Sequence, residues 1–499
     1  MTDAGETIRI DDLMASSGVQ FGTSGARGLV RDMTDRVCYA YTRGFLQHVE
    51  QQGLLAGRPG EVAVAGDLRP STPRIVAAVS RAVEDAGHRV RYGGTIPAPA
   101  IALHGLASGA AAIMVTGSHI PDDRNGIKFN TPRGEILKAD EAAIRAQTVV
   151  IPPGVLDTEG MLLEAGALPP PDPGPLQAYV ARYLGFFPAG ALEGLRIGLY
   201  THSSVIREAA LAVLEGLGAR VTELGRAARF VPVDTEAIRP EDVQLAAEWA
   251  RDGGFDALVS ADGDGDRPLL GDEAGRWLRG DVAGALCAGY LGARTVVTPV
   301  SSNSVVERWG RFEQVVRTRI GSPFVIEAMQ QASAAGQGPV VGYEANGGFL
   351  VEDRLSRDGA ELGPLPTRDP LIVVTTILAE ARRRRLPVSR LAAELPARYT
   401  ASDRLQQFPV ASSRALLEAL DPDAHGRDAI EARFGGLCGA LDTVDRTDGL
   451  RMGFANGEVV HLRPSGNAPE LRCYTEADSA ARAEALNRAV LHSIAGAQG

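Results

Sequence analysis

The chain has 499 residues, 44% of them hydrophobic and 23% charged, with a net charge of −11 when His is neutral. Such a length allows about three or four domains, and the composition is ordinary for a globular protein. The acidic balance excludes the basic surface that non-specific nucleic-acid binding requires, and no run of about 18 apolar residues marks a membrane span, so neither partner is expected. The cysteines, Cys38, Cys287, Cys438 and Cys473, contain no CxxC pair, so no zinc or disulfide framework is expected. The acidic start, Met1 to Glu6, lacks the apolar core of a signal peptide. A cytoplasmic setting is the expectation.

In chain order, residues 61–67 read as a short apolar strand ending in a turn. A helix follows over 72–86, closing at Gly87, and a strand over 89–92. The small apolar run 110–114 leads into Val115-Thr116-Gly117-Ser118-His119-Ile120-Pro121. The proline-rich stretch 167–175 reads as a stiff linker. The strand–helix–strand pattern returns over 195–200, 208–217 and 219–222. A strand over 255–260 then runs into Asp262-Gly263-Asp264-Gly265-Asp266-Arg267. A third unit opens at 295–300 and continues through 304–309, with further boundaries near Gly280 and between Leu386 and Ser402. The last hundred residues carry shorter strand-like pieces such as 458–462. Strands alternating with helices argue α/β architecture with parallel sheets. The expected domains are 1–165, 176–280 and 281–395, three similar mixed α/β units, and 400–499, a smaller α+β unit.

The strongest chemical signal is the Asp loop. Asp262, Asp264 and Asp266 recur at every second residue on a strand end. Three carboxylates aimed at one point repel one another and are costly to desolvate. A hard divalent cation with a preference for oxygen ligands removes that cost. The loop is not an EF-hand, because Arg267 stands where its sharp turn needs glycine and the incoming segment is a strand. Ser118 would sit on a strand-end loop, where open α/β sheets place ligands. A serine hydroxyl is a poor nucleophile unless a base or metal activates it. His119 is adjacent and Lys128 follows closely, and Ile120 excludes a GxSxG elbow. Gly342-Tyr343-Glu344-Ala345-Asn346-Gly347-Gly348 offers a carboxylate and an amide suited to hydroxyl-rich ligands such as sugars. In Arg463-Pro464-Ser465-Gly466-Asn467-Ala468-Pro469 and the following Arg472, two arginines flank a polar turn, a pattern that suits phosphate.

Serine loop, Asp loop, Glu/Asn loop and arginine turn occur in that order, one per expected domain. The arrangement resembles the α-D-phosphohexomutase superfamily of phosphomannomutases, phosphoglucomutases and phosphoglucosamine mutases. The resemblance runs from Phe21-Gly22-Thr23-Ser24-Gly25-Ala26-Arg27-Gly28 to Arg472. It implies a four-domain, heart-shaped enzyme around a central cleft. That enzyme would interconvert hexose 6-phosphate and hexose 1-phosphate through a phosphoserine and a hexose 1,6-bisphosphate, which would also be its activator. By the same resemblance Ser118 is the phosphorylated serine, and Asp262, Asp264 and Asp266 hold Mg²⁺ with a phosphoserine oxygen. Arg27, Lys128 and Arg267 surround the moving phosphoryl group, with His119 beside them. Glu344 and Asn346 contact sugar hydroxyls. Arg463, Ser465, Gly466, Asn467 and Arg472 clamp the other phosphate.

The wording departs from the family's in three places. Gly117 and Ile120 replace an alanine and an asparagine, Asn467-Ala468 replaces Thr-Glu, and Gly348 stands where many members carry a histidine. Lys128, crowded by cations, is then the expected proton acceptor, with His119 as the alternative. The wording lies nearest to phosphomannomutase-like members, so mannose is the expected sugar, with glucose or glucosamine as alternatives. A non-catalytic sugar-phosphate-binding protein is the reading from another class. A monomer or homodimer is expected.

Overall fold

The structure, a computed structural model, describes residues 5–22, 25–55, 60–164, 166–421, 426–465 and 469–495. The chain divides into two compact units: residues 1–293 with 321–392, and residues 294–320 with 393–499.

In the first unit the strand Glu61–Gly66 lies parallel to Arg89–Gly94 on one side and Ala111–Val115 on the other. Helix Thr72–Asp85 connects the first two because Ile75, Val76, Val79, Ala82 and Val83 recur at helical spacing, and all five are buried. They join Phe45 and Phe129, whose rings stack at 4.7 Å, in one large core. Burying each aliphatic side chain contributes about 1.5–3 kcal/mol. Beyond Ala111–Val115 the sheet is no longer parallel. Arg124–Thr131 returns antiparallel and is flanked, again antiparallel, by Ala26–Leu29. Parallel sheets were expected, and this mixed sheet corrects that. Only about eight residues separate the two central strands here, enough for a loop but not for a crossover helix.

The second sheet of this unit repeats the design. Arg220–Leu224, Arg196–Tyr200 and Ala257–Ala261 are parallel, and Pro268–Gly271 folds back antiparallel on the last of them. Residues 262–267 are therefore the tip of a hairpin. A second hairpin joins Val340–Tyr343 to Phe349–Val351 and carries residues 344–348 at its tip. The linker expected over 167–175 is irregular up to Pro173. Gly174 and Pro175 already open the helix Gly174–Phe186, where Asp172 Oδ1 accepts from Gly174 N at 2.8 Å.

The second unit contains the parallel pair Thr295–Pro299 and Gln314–Thr318 and an antiparallel five-stranded sheet. Its strand order is Tyr399–Leu405, Leu471–Ala477, Val459–Pro464, Leu450–Phe454, Leu441–Asp445. Helix Ala480–Ala495 packs Leu486, Val490 and Ile494 into the core beneath it. Among the described residues no helix is long and apolar enough to cross a membrane.

Candidate active site

Ser118 lies in the loop between two central strands, completely buried, with its backbone in the left-handed region at φ 57°. A non-glycine residue there costs on the order of 1–2 kcal/mol, so something must hold it. Arg69 does. It is 1% exposed, and its Nη2 donates to the carbonyls of Ser118 at 2.8 Å and Ile120 at 2.5 Å. Its Nη1 donates to Pro121 O at 2.7 Å, and its Nε to Asp67 Oδ2 at 3.0 Å. The hydroxyls of Thr72 and Thr116 donate to the same Asp67 carboxylate at 2.6 and 2.7 Å. The departure at Gly117 has its explanation here: a Cβ at that position would lie 2.7 Å from Arg69 Cζ. This latch was missed in the sequence. Its only trace was the charged Asp67-Leu68-Arg69 following a strand.

Ser118 Oγ donates to Asp262 Oδ2 at 2.6 Å, so the serine loop and the Asp loop, 144 residues apart, meet directly. Asp262, Asp264 and Asp266 are all buried, and one oxygen of each lies within 4.8 Å of the others. The glycines between them follow from this approach. A Cβ at Gly263 would sit 2.7 Å from Ser118 O, and Gly265 has φ 64°. Asp264 Oδ1 and Asp266 Oδ1 are buried without a hydrogen-bond partner. Burial, then the charges of Asp264 and Asp266, push Asp262 well above the usual carboxylate range. Two orphaned acceptors and a disfavoured charge are what a dication would relieve, and the all-oxygen donor set fits Mg²⁺.

The cations are arranged differently from expectation. Lys128 was to be crowded by cations. Instead its Nζ donates to Asp264 Oδ2 at 2.5 Å and Asp266 Oδ2 at 2.6 Å. Its neighbours there are anions, so the crowding by cations that was expected to make it a base is not what surrounds it. Burial pushes Asp266 up, but Arg368 and Lys128 overcome it and hold Asp266 well below its ordinary value. Arg267 Nη1 donates to His119 Nδ1 at 2.9 Å. Burial first, then Arg267, depresses His119 to about 3, so its imidazole is neutral near pH 7. Ser118 Oγ lies 3.3 Å from the same Nδ1. Arg27 stands across from Gly126 on the neighbouring strand and is lowered to about 10, by burial and then Arg267.

Glu344 and Asn346 occupy the second hairpin tip, 4% and 7% exposed. Asn346 Oδ1 accepts from Gly348 N at 2.9 Å, shaping the turn, and its carbonyl accepts from Thr235 Oγ1 at 2.7 Å. Arg368, another residue missed in the sequence, reaches Glu344 Oε2 at 3.3 Å and Asp266 Oδ2 at 2.9 Å.

In the second unit Arg463 and Arg472 are direct cross-strand partners, and Arg404 pairs with Arg472 on its other side. Three cationic side chains thus share one sheet face in register. Like charges placed so are mutually destabilising, and a bound anion reverses the sign. Only strand register reveals Arg404. Arg463 Nε lies 2.9 Å from Asp448 Oδ1 but off the hydrogen-bonding direction. Ser465 is buried beside them, while Gly466 and Asn467 lie outside the described residues.

The chain matches the phosphoglucomutase/phosphomannomutase α/β/α domain I over residues 18–150. It matches domain III over 279–399 and the C-terminal domain over 390–493. It is 43% identical over 470 residues to a phosphomannomutase of Sinorhizobium fredii, covering 94% of this chain and 97% of the relative. A phosphomannomutase of Salmonella muenchen is 42% identical over 484 residues, covering 97% of each. Among solved structures, a phosphoglucomutase/phosphomannomutase family protein of Burkholderia thailandensis superimposes with a TM-score of 0.72 at 22% identity, over 96% of this chain and 98% of that one. Parafusin, a phosphoglucomutase of Paramecium, gives 0.68 at 16% identity, over 96% and 95%. These last two bear on the fold alone. The chain belongs to the phosphoglucomutase/phosphomannomutase family.

Proposed function

We propose that this protein is a phosphohexomutase that interconverts hexose 6-phosphate and hexose 1-phosphate, with mannose as the preferred sugar. The observation that carries the reading is the 2.6 Å contact between Ser118 Oγ and Asp262, inside a cluster of three buried carboxylates. A serine placed among carboxylates would be electrostatically unable to hold a phosphate. With a dication in their midst the same place becomes suited to a phosphoserine. Asp262, Asp264 and Asp266 would hold Mg²⁺, which when bound neutralises the phosphoryl oxygens. Ser118 carries the phosphoryl group, Arg27, Lys128 and Arg267 supply positive charge around it, and His119 stands beside Ser118 Oγ with its Nδ1 accepting from Arg267. Glu344 and Asn346 bind sugar hydroxyls. Arg463, Ser465, Gly466, Asn467 and Arg472 hold the phosphate that is not reacting, with Arg404 beside them. A hexose 1,6-bisphosphate is the intermediate, and added bisphosphate restores any enzyme that has lost its phosphate. The preference for mannose rests on relatives above 40% identity that are phosphomannomutases. The four-domain partition, a cytoplasmic setting and a monomer or homodimer complete the reading. Four buried free cysteines and an acidic surface charge suit it.

The test is an intact-mass measurement of the purified protein, with turnover assayed on mannose, glucose and glucosamine phosphates side by side. One added phosphate is expected, absent in Ser118→Ala, whose turnover should vanish. Near-wild-type turnover in that variant would refute the role of Ser118, and a faster glucose or glucosamine phosphate would refute the preference.

A further inference from the structure

Arg368 joins three parts of the first unit that are remote in sequence. Its Nε donates to Asp266 Oδ2 at 2.9 Å, and its Nη1 to Glu344 Oε2 at 3.3 Å and to Ser322 Oγ at 3.1 Å. Glu135 lies 3.9 Å from its Nη2. That carboxylate accepts from Ser322 Oγ at 2.9 Å and Thr367 Oγ1 at 2.6 Å. Arg368 as a whole is 2% exposed. On its Lys128 side lies a cavity of about 20 Å³, room for one water. Its stem is equally fixed. A Cβ at Gly348 would lie 2.5 Å from both Cγ and Cδ of Arg368, so glycine at 348 is the condition for this side chain to occupy its place.

We infer that Arg368 is a positioning residue that couples metal binding at the Asp loop to sugar binding at the Glu344 hairpin. The guanidinium is a rigid plane that stays charged. By holding Oδ2 of Asp266 it sets the direction of Oδ1, the orphaned oxygen in the carboxylate cluster. By holding Oε2 of Glu344 it sets the rotation of that carboxylate. Both carboxylates hang on one fork, so a ligand that draws one of them repositions the fork that holds the other, and each ligand raises the affinity of the other by the same factor. Gly348 belongs to the same device, because any side chain there would displace the bracket.

This inference rests on the proposed metal and sugar roles, and its test is separate from theirs. Mg²⁺ is titrated calorimetrically into the full-length protein with and without saturating mannose 6-phosphate. Wild type, Arg368→Met, Arg368→Lys and Gly348→Ala are compared. In wild type the sugar phosphate should tighten Mg²⁺ binding by about fivefold or more. In Arg368→Met each ligand should still bind alone, while the ratio falls to about one. Arg368→Lys, with charge but no fork, should fall between. A wild-type ratio of one, or an unchanged ratio in Arg368→Met, overturns the coupling. If Arg368→Met does not fold, Gly348→Ala, which displaces the same side chain without altering a ligand group, must show the same loss, and a preserved ratio there overturns it equally. Failure of the mutase reading would show instead as an absent phosphate on Ser118, whatever the calorimetry gives.

Discussion

The serine loop holds its shape because one guanidinium spends its donors on it. Arg69 is buried, paired with Asp67, stacked 4.0 Å over the ring of Phe230, and bound to the loop carbonyls of Ser118, Ile120 and Pro121. Removing it in Arg69→Met strands a buried carboxylate and frees a strained backbone. A loss of about 3–5 kcal/mol is expected, measured by denaturant unfolding. Gly117→Ala tests the same latch from the other side. The new methyl meets the far end of a long side chain, which would normally swing away, but this end is pinned by its hydrogen bonds. A loss of about 1–3 kcal/mol is expected, together with a lower phosphoserine yield; wild-type stability in Gly117→Ala would show that Arg69 is free to move. Ser118 and the three aspartates were legible in the sequence because their pattern is local: alternation on a strand end and a serine in a glycine-containing loop. Arg69 and Arg368 were not, because what makes them special is the set of remote groups that each one touches.

Strands and helices were legible where apolar periodicity was strong. Thr72–Asp85 and Ala111–Val115 fall within a residue or so of expectation. Strand direction was not legible. Periodicity says which face is buried, not which way the chain runs, so the antiparallel return of Arg124–Thr131 and the hairpin closing the Asp loop appeared only in three dimensions. Two histidines make a prediction at this scale. His202 follows the strand Arg196–Tyr200 in the first unit, and His461 lies on Val459–Pro464 in the second. Each sends Nε2 to a backbone carbonyl, Ala261 at 2.8 Å and Asp448 at 2.6 Å. Burial depresses both to about 4. A group whose folded value lies below its unfolded value of 6.5 binds more protons when unfolded. Stability is therefore complete above about pH 6.5 and declines as pH falls towards 4. Each histidine carries about 3 kcal/mol of that decline. The melting temperature of both units should fall between pH 6.5 and 4, and His461→Gln should flatten the decline in the second unit only. A melting temperature independent of pH over that interval would contradict both assignments.

At the scale of the molecule, Ser118 and the Asp loop belong to one compact unit and the arginine ladder to the other, so the proposed reading gives chemistry and recognition to different units. They should therefore separate experimentally. Comparing forward and reverse kcat/KM cannot test the ladder, because the overall equilibrium constant ties the two directions together for any variant. Binding can. Ser118→Ala removes the phosphoryl carrier but leaves every anion ligand of the second unit in place, so the Kd for mannose 1-phosphate should stay within about twofold of wild type while turnover disappears. Arg463→Ala should do the reverse. A charged hydrogen bond to phosphate contributes about 1.5–3 kcal/mol, so its Kd should rise about tenfold to a hundredfold, for mannose 6-phosphate as much as for mannose 1-phosphate. Arg404→Ala should give a smaller loss of the same kind, because that side chain is more exposed than Arg463. Since Ser118→Ala is expected to leave the Kd near wild type, the double variant Ser118→Ala/Arg463→Ala should bind as Arg463→Ala does. An unchanged Kd in Arg463→Ala would remove the ladder from substrate recognition. A Kd that collapses in Ser118→Ala alone would mean that phosphate is recognised chiefly at the serine.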